Sequence, residues 1–274
     1  MSTATATVTA PNGTFRYLQP TYRLDDTAGH ARALEEDGFA LIPGVLSPDE
    51  IAATRAAIDR CAHFGLDGKS PTGDHYKCVF NRERLFLDFA DRPGVVDLAY
   101  AIWGDWCHII GMSAWRSRPG HDGWSPHTDR LFSAPNLAES ALAAPDVKLP
   151  IFICTAHYYL SDQTSELCPT YVIPGSHTAG RGPRGKEETE WRGRKLEPVL
   201  CRAGDVLFFR SEIWHTGSKN TSTDTRYLLQ VHYAQRDIAQ KFSPWPFHYN
   251  PEILAVATPR QQRLLGKHPE GAYG

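Results

Sequence analysis

Gly204-Asp205-Val206-Leu207-Phe208-Phe209-Arg210-Ser211-Glu212-Ile213-Trp214-His215, then the polar run TGSKNTSTDT (216–225), then Arg226-Tyr227-Leu228-Leu229-Gln230-Val231-His232-Tyr233 is the stretch whose reading decides the fold. Two apolar runs rich in β-formers, separated by small turn residues, read as two strands joined by a short loop. The first ends in a histidine. On the second, alternation sends Arg226, Leu228, Gln230 and His232 to one face and Tyr227, Leu229, Val231 and Tyr233 to the other. The first face mixes polar with apolar side chains and suits the lining of a pocket.

Working outward, the texture from residue 105 on is of short β-rich runs punctuated by Gly and Pro. Strands are expected over 106–116, 151–160, 169–173, 197–201, 204–210 and 226–235. Upstream the signals are helical. Residues 26–38 carry alanines and a leucine at helical spacing and end on Gly38. The extended run FALIP follows. Ser47-Pro48-Asp49-Glu50 then combines an N-cap hydroxyl, a proline at the first helical position and a reciprocal glutamate, predicting a helix from Pro48 to about His63. A third helix is expected over 93–103. Helices first and strands after argue for an α+β protein, mainly β, in which an antiparallel sandwich or barrel carries helices on one side. No βαβ rhythm, G-x-G-x-x-G or P-loop is present, which counts against a nucleotide fold.

Residues 1–20 are small and polar and read as a flexible arm; 21–274 read as one domain, with helical support over about 26–104, a β core over about 105–235 and an extension over 236–274. Two polar stretches, 131–150 and 178–196, are long for hairpin connections and read as covering loops or lids.

The composition is that of a core-forming chain: 41% hydrophobic and 22% charged residues, with 29 basic against 31 acidic side chains for a net charge of −2. That balance offers no electrostatic footprint for nucleic acid. Six cysteines stand singly with no C-x-x-C pair, resembling neither a zinc ribbon nor a disulfide scaffold. The N-terminus lacks the basic and apolar regions of a signal peptide, and no apolar run reaches membrane-spanning length. A cytoplasmic protein with reduced cysteines is expected, with a small-molecule partner and neither nucleic acid nor membrane; the sequence does not speak to oligomeric state.

Twelve histidines are mostly ordinary until one acquires a second ligand at a useful offset. In His127-Thr128-Asp129 the imidazole and carboxylate fall on one face of an extended segment and can share a metal. Chance alone supplies about one such pair in a chain with this many histidines and acids, so the pair needs a partner. His215 is that partner. Two histidines and one carboxylate leave three positions open, the arrangement of non-haem Fe(II) oxygenases. Arg226 then acquires a role, because a dicarboxylate chelating iron at one end needs a two-pronged cation at the other. A divalent-metal hydrolase or a non-catalytic cupin-like binding protein could use the same His/Asp/His set, although neither explains Arg226.

The chain resembles the phytanoyl-CoA dioxygenase family of Fe(II)/2-oxoglutarate-dependent oxygenases from about residue 33 to 235. The resemblance rests on Glu36-Asp37-Gly38-Phe39 leading to Pro43-Gly44-Val45-Leu46-Ser47, on His127-Thr128-Asp129, on Pro174-Gly175-Ser176-His177, and on Gly204-Asp205 running to His215, Asn220 and Arg226. It implies a double-stranded β-helix, the cupin-like jelly roll, with His127, Asp129 and His215 holding iron and Arg226 holding the C5 carboxylate of 2-oxoglutarate. O2 is the oxidant. His177 is implied to be structural. Asp129 stands where halogenating relatives have a small residue, which argues against chlorination. Two departures stand out: Glu166-Leu167-Cys168 replaces the usual Glu-Asn-Gly, and Gly217 takes a position often held by a hydroxyl that assists the co-substrate, with Thr216 and Ser218 beside it as substitutes.

The resemblance implies an oxidoreductase that oxidises a small-molecule metabolite and releases succinate and CO2, with hydroxylation as the default and desaturation, epimerisation, ring closure or epoxidation left open; a tailoring step of secondary metabolism is expected. Candidate substrate residues cluster around the metal motif: Trp115, Arg116 and Arg118 before it, Trp124 just ahead, Arg130, Leu131 and Phe132 just after, and His157 with Tyr159 on one face of strand 151–160. Such a mixture of aromatic and cationic groups suits a polar or ring-containing molecule better than a long acyl chain.

Overall fold

The computed structural model describes residues 7–10, 13–129, 149–241 and 247–270. Its strands are β1 (Thr7–Ala10), β2 (Gly13–Arg16), β3 (Phe39–Ile42), β4 (Gly68–Ser70), β5 (Gly73–Lys77), β6 (Cys107–Ser117), β7 (Ile153–Tyr159), β8 (Thr170–Val172), β9 (Glu190–Trp191), β10 (Arg194–Lys195), β11 (Glu197–Pro198), β12 (Val206–Arg210), β13 (His215–Gly217) and β14 (Arg226–Gln235). The helices are α1 (Thr27–Asp37), α2 (Pro48–Arg60), α3 (Val95–Trp103), α4 (Pro251–Val256) and α5 (Pro259–Leu264).

Seven antiparallel strands form the major sheet in the order β3-β12-β7-β14-β6-β5-β4, and β11-β8-β13 form a minor sheet. The protein is a jelly roll, as expected: two antiparallel sheets face each other, with helices on the outside of the larger one. Period-two alternation divides its apolar side chains between two cores. On β3, Ala40 and Ile42 face the helices while Phe39 and Leu41 face the minor sheet; on β12, Val206 and Phe208 face outward and Leu207 and Phe209 inward. The outer core also takes in Ala33 and Leu34 of α1, Ala57 and Ile58 of α2, Val95, Val96, Leu98 and Ala99 of α3, and Leu264 of α5. Leu229, Val231 and Tyr233 of β14 join this outer cluster, leaving the opposite face of that strand to the space between the sheets.

Several elements depart from expectation. α2 stops at Arg60 because the backbone beyond it finds partners outside the helix: Arg82 donates to the Ala62 carbonyl, and Phe64 N–H donates to Asp67 Oδ2 at 2.7 Å. The N-terminal arm is not free to residue 20. Tyr17 and Gln19 are buried, Tyr17 Oη donates to Asp205 Oδ2 at 3.0 Å, and Gln19 accepts from Leu41 N–H at 2.8 Å and donates to the Phe39 carbonyl at 3.2 Å. Gln19 thus satisfies the backbone of β3, an edge strand of the major sheet. The 178–196 stretch contains the β9–β10 hairpin, with Arg181 paired to Glu188 at 2.7 Å and lying over Trp214, so it is an ordered rim rather than an open loop. The strand predicted over 197–201 is only Glu197–Pro198. β4, β5, β13, α4 and α5 carried no sequence expectation. The 131–150 stretch lies outside the described residues up to residue 148. All six cysteines are buried and unpaired, and no helix among the described residues is long and apolar enough to cross a membrane.

Candidate metal and co-substrate site

The site is assembled by backbone pairing before any side chain acts. His127 and His215 form an isolated antiparallel bridge, each N–H donating to the other's carbonyl at 2.9 Å. Two residues on, Asp129 N–H donates to the Ser211 carbonyl at 3.1 Å. The segment around His127 therefore runs alongside β13, and the i, i+2 offset carries Asp129 to the same side. The ligand-capable atoms of His127, Asp129 and His215 lie within 4.8 Å of one another. Asp129 Oδ1 is 3.6 Å from His215 Nε2 and 3.9 Å from His127 Nε2. The same offset at His268-Pro269-Glu270 leads elsewhere: His268 Nε2 bonds His108 Nδ1 at 3.2 Å, so the tripeptide spacing alone does not discriminate.

The donor chemistry fits a divalent transition metal. His127 Nδ1 lies 2.8 Å from the Ser125 carbonyl and His215 Nδ1 3.0 Å from the Ile213 carbonyl. A carbonyl only accepts, so both Nδ1 atoms carry protons and both Nε2 lone pairs are presented to the cluster. Burial by itself would raise the Asp129 carboxyl, but the charge and hydrogen bond of His215, with His232 and His157 behind it, outweigh that and hold it well below the usual carboxylate range. For His215, burial favours the neutral ring, and the Asp129 charge overrides it and raises the pKa. His127 is lowered, first by burial and then by the charge of His215.

These three residues stand on the wall of a cavity of about 490 Å³ between the sheets. Arg226, at the start of β14, lines the same cavity and is 7% exposed. Gln163 Oε1 accepts from its Nε at 2.9 Å, Thr170 Oγ1 accepts from a terminal nitrogen at 3.1 Å, and the Tyr159 ring lies 5.6 Å beneath the guanidinium. Leu228, Gln230 and His232 follow on the same face, as alternation requires.

A polar relay runs beside the site. Trp115 Nε1–H, an obligate donor, reaches Gln230 Oε1 at 2.8 Å; this orients the amide so that Gln230 Nε2 donates to His157 Nε2 at 2.7 Å. His157 therefore carries its proton on Nδ1. Its pKa lies well below the ordinary value, through burial first and the charges of Arg226 and His215 next.

Trp115, Trp124 and His157 line the cavity; Arg116 does not. Adjacent residues of a strand point to opposite faces, so Trp115 and Arg116 could not both enter. Arg116 instead pairs outside with Asp74 at 2.7 Å and Asp59 at 2.9 Å, and Arg118 also pairs with Asp74. Thr216 and Ser218 line the cavity, but their hydroxyls donate to the carbonyls of Trp124 at 2.5 Å and Pro169 at 3.1 Å. They are committed to holding the loop and supply no proton to a carboxylate. Arg130, Leu131 and Phe132 lie outside the described residues. Tyr159 packs with Phe39, Leu207 and Phe209 in the inner core.

Sequence reasoning missed Gln163, Thr170, His75, Lys77 and His121. The last three share the cavity wall with Thr170. Gly68–Ser70 and Gly73–Lys77 flanking Pro71-Thr72 carry a readable hairpin signal that would have placed His75 and Lys77 on one strand face. Gln163 is placed by a backbone bridge to Cys201, which no local signal announces. His177 is structural: its Nε2 is 3.1 Å from the Glu35 carbonyl at the end of α1, and a Cβ at Gly38 would come within 2.5 Å of its ring.

Comparison with known proteins places these observations in a family. The family model for phytanoyl-CoA dioxygenase (PhyH) matches residues 34–228. The dioxygenase af480 of Aspergillus fumigatus is 22% identical over 255 residues, covering 89% of this chain and 77% of that protein. In fold, the chain is similar to HygX of Streptomyces hygroscopicus, solved with nickel, 2-oxoglutarate and hygromycin B, at a TM-score of 0.62 and 18% identity over 77% of this chain and 88% of that one. It is equally similar to SnoN, an α-ketoglutarate-dependent epimerase from nogalamycin biosynthesis, at a TM-score of 0.62 and 20% identity over 81% and 93% of the two chains.

Proposed function

The chain belongs to the phytanoyl-CoA dioxygenase family of Fe(II)/2-oxoglutarate-dependent oxygenases, and from that premise we propose that it hydroxylates a small-molecule metabolite in a tailoring step, with His127, Asp129 and His215 as iron ligands and Arg226 as the anchor for the far carboxylate of 2-oxoglutarate. The observation that carries this reading is the convergence of two Nε2 lone pairs and one carboxylate on the wall of a cavity that also contains a buried, braced arginine. A hydrolase or a binding module would have no use for the arginine.

Bound iron with 2-oxoglutarate and O2 supplies the oxidant for an unactivated C–H bond, with succinate and CO2 as co-products. The protein's own residues bind, orient and exclude water. The Ser125 and Ile213 carbonyls fix the ring orientation of the two histidines. Gln163 and Thr170 hold the Arg226 fork in place, so little side-chain entropy is lost when a carboxylate arrives. Trp115, Trp124 and the His157–Gln230 pair wall the space in which a substrate would lie.

The test is the 2-oxoglutarate-dependent release of succinate by purified protein supplied with Fe(II), read beside a thermal shift on adding Ni(II) and 2-oxoglutarate. Wild-type protein should show both, and Asp129→Ala should lose both. Absence of a 2-oxoglutarate-dependent shift in the wild type would sink the reading.

A further inference from the structure

Strand register lays the cavity floor out as rows across the major sheet. Arg226 of β14 pairs with Ser117 of β6, which pairs with Gly73 of β5; two residues along come Leu228, Trp115 and His75; two further along come Gln230, Ser113 and Lys77. With strands about 4.8 Å apart and residues rising about 3.4 Å each, the Lys77 and Arg226 backbones lie about 17 Å apart on a diagonal. A co-substrate held at one end by Arg226 and at the other by the His127/Asp129/His215 cluster leaves Lys77 to something else.

Charge points the same way. Among the described residues, Asp129 is the only acid on the cavity wall, against Arg226, Lys77 and Lys241. Under the function proposed above, Asp129 and the two carboxylates of 2-oxoglutarate balance the metal and Arg226. That leaves Lys77 and Lys241; Lys241 has a further interaction of its own, whereas the Lys77 ammonium meets no carboxylate among the described residues. The row between those of Arg226 and Lys77 is aromatic: His75 lies flat on Trp115 at 3.7 Å between centroids, and Trp124 meets Trp115 edge-on at 6.3 Å. His75 is held neutral, its pKa pushed down to about 3 by burial first and the Lys77 charge second, so it adds surface rather than charge.

We propose that the primary substrate is an anionic, ring-bearing small molecule whose acidic group, a carboxylate, sulfonate or phosphate, is held by Lys77 at the end of the cavity remote from Arg226, with its ring against Trp115 and Trp124. This rests on the function proposed above, because it takes the Arg226 end as filled by 2-oxoglutarate.

The probes are a matched pair, anilinonaphthalenesulfonate and the uncharged N-phenylnaphthylamine, titrated by fluorescence into full-length protein saturated with Ni(II) and 2-oxoglutarate. The sulfonate should bind several-fold more tightly than its neutral analogue. Lys77→Glu should weaken the sulfonate by about tenfold and Lys77→Ala by about threefold, with Lys77→Arg close to wild type and the neutral probe unchanged throughout. Equal binding of the two probes, sulfonate binding untouched by Lys77→Glu, or no sulfonate binding at all would overturn the proposal. The thermal shift with 2-oxoglutarate, measured on the same samples, separates the two readings. If it is present while the sulfonate ignores Lys77, only the anion site fails; if it is absent from the wild type, the function proposed above fails on its own account.

Discussion

At the residue scale, the anchoring of 2-oxoglutarate proposed for Arg226 would depend on guanidinium geometry rather than on charge alone. Arg226 is clamped by Gln163 and Thr170 and lies over the Tyr159 ring. Arg226→Lys keeps one positive charge and loses the planar fork, so the Kd for 2-oxoglutarate should rise about tenfold to a hundredfold while Ni(II) binding persists, as calorimetry would report. An unchanged 2-oxoglutarate affinity would remove Arg226 from the site. The His127/Asp129 offset was legible in the sequence because period two is a local property of extended chain. Arg116 misled for the same reason: once Trp115 faces the cavity, its neighbour must face away, and Asp74, far off in sequence, takes it. The roles of Thr216 and Ser218 were not legible, since their hydroxyls are claimed by carbonyls 92 and 49 residues distant.

At the element scale, two turns carry unequal weight. Ser47 opens α2 with a complete capping box: Glu50 N–H donates to its hydroxyl at 3.3 Å, and its own N–H donates to Glu50 Oε2 at 2.8 Å. Ser47→Ala should cost about 1 kcal/mol in chemical denaturation. Gly204 precedes β12 at φ +94°, and a Cβ there would fall 2.6 Å from the Leu46 carbonyl oxygen. That carbonyl is backbone and cannot swing aside. Gly204→Ala should therefore cost about 2–3 kcal/mol, clearly more than the lost cap; a smaller loss than that of Ser47→Ala would contradict this account. Asp205, next in sequence, accepts from Gly44 N–H at 2.8 Å, Arg202 N–H at 2.9 Å and Tyr17 Oη at 3.0 Å, tying the arm and the turn before α2 to β12. The capping box was readable because all its partners lie within four residues. The Gly204-Asp205 pair was readable only as a motif, because two of the donors it serves, Gly44 and Tyr17, lie some 160 to 190 residues away.

At the scale of the whole molecule, one apolar cluster runs from Ala33 to Leu265, so thermal unfolding should follow a single cooperative transition. Its pH dependence is set in part by histidines held neutral. Burial, followed by the charge of Arg210, pushes His177 down to about 4, and His75 lies at about 3 for the causes given above. A histidine depressed in the folded state takes up its proton in the unfolded chain first. Stability should therefore be full above pH about 6.5 and fall as the pH drops towards 4, by up to about 1.4 kcal/mol per pH unit for a fully buried ring. Denaturation midpoints at pH 7, 5.5 and 4.5 would check the sign, and His177→Gln should flatten the profile.

The sequence by itself determined what nearest neighbours decide: α1 with its glycine end, the capping box of α2, the alternating faces of β12 and β14, and the offset that puts His127 and Asp129 on one side of the chain. These follow from backbone periodicity and hydrogen bonds spanning a few residues. Only the tertiary structure decided what depends on strand order. It brought His215 against His127, set Gln163 and Thr170 around Arg226, turned Arg116 away to Asp74, and added β5 to the sheet so that Lys77 and His75 share the cavity with His127, Asp129 and His215. Pairing partners dozens of residues apart are chosen by the burial of two whole faces of the sheet, and no local pattern carries that choice.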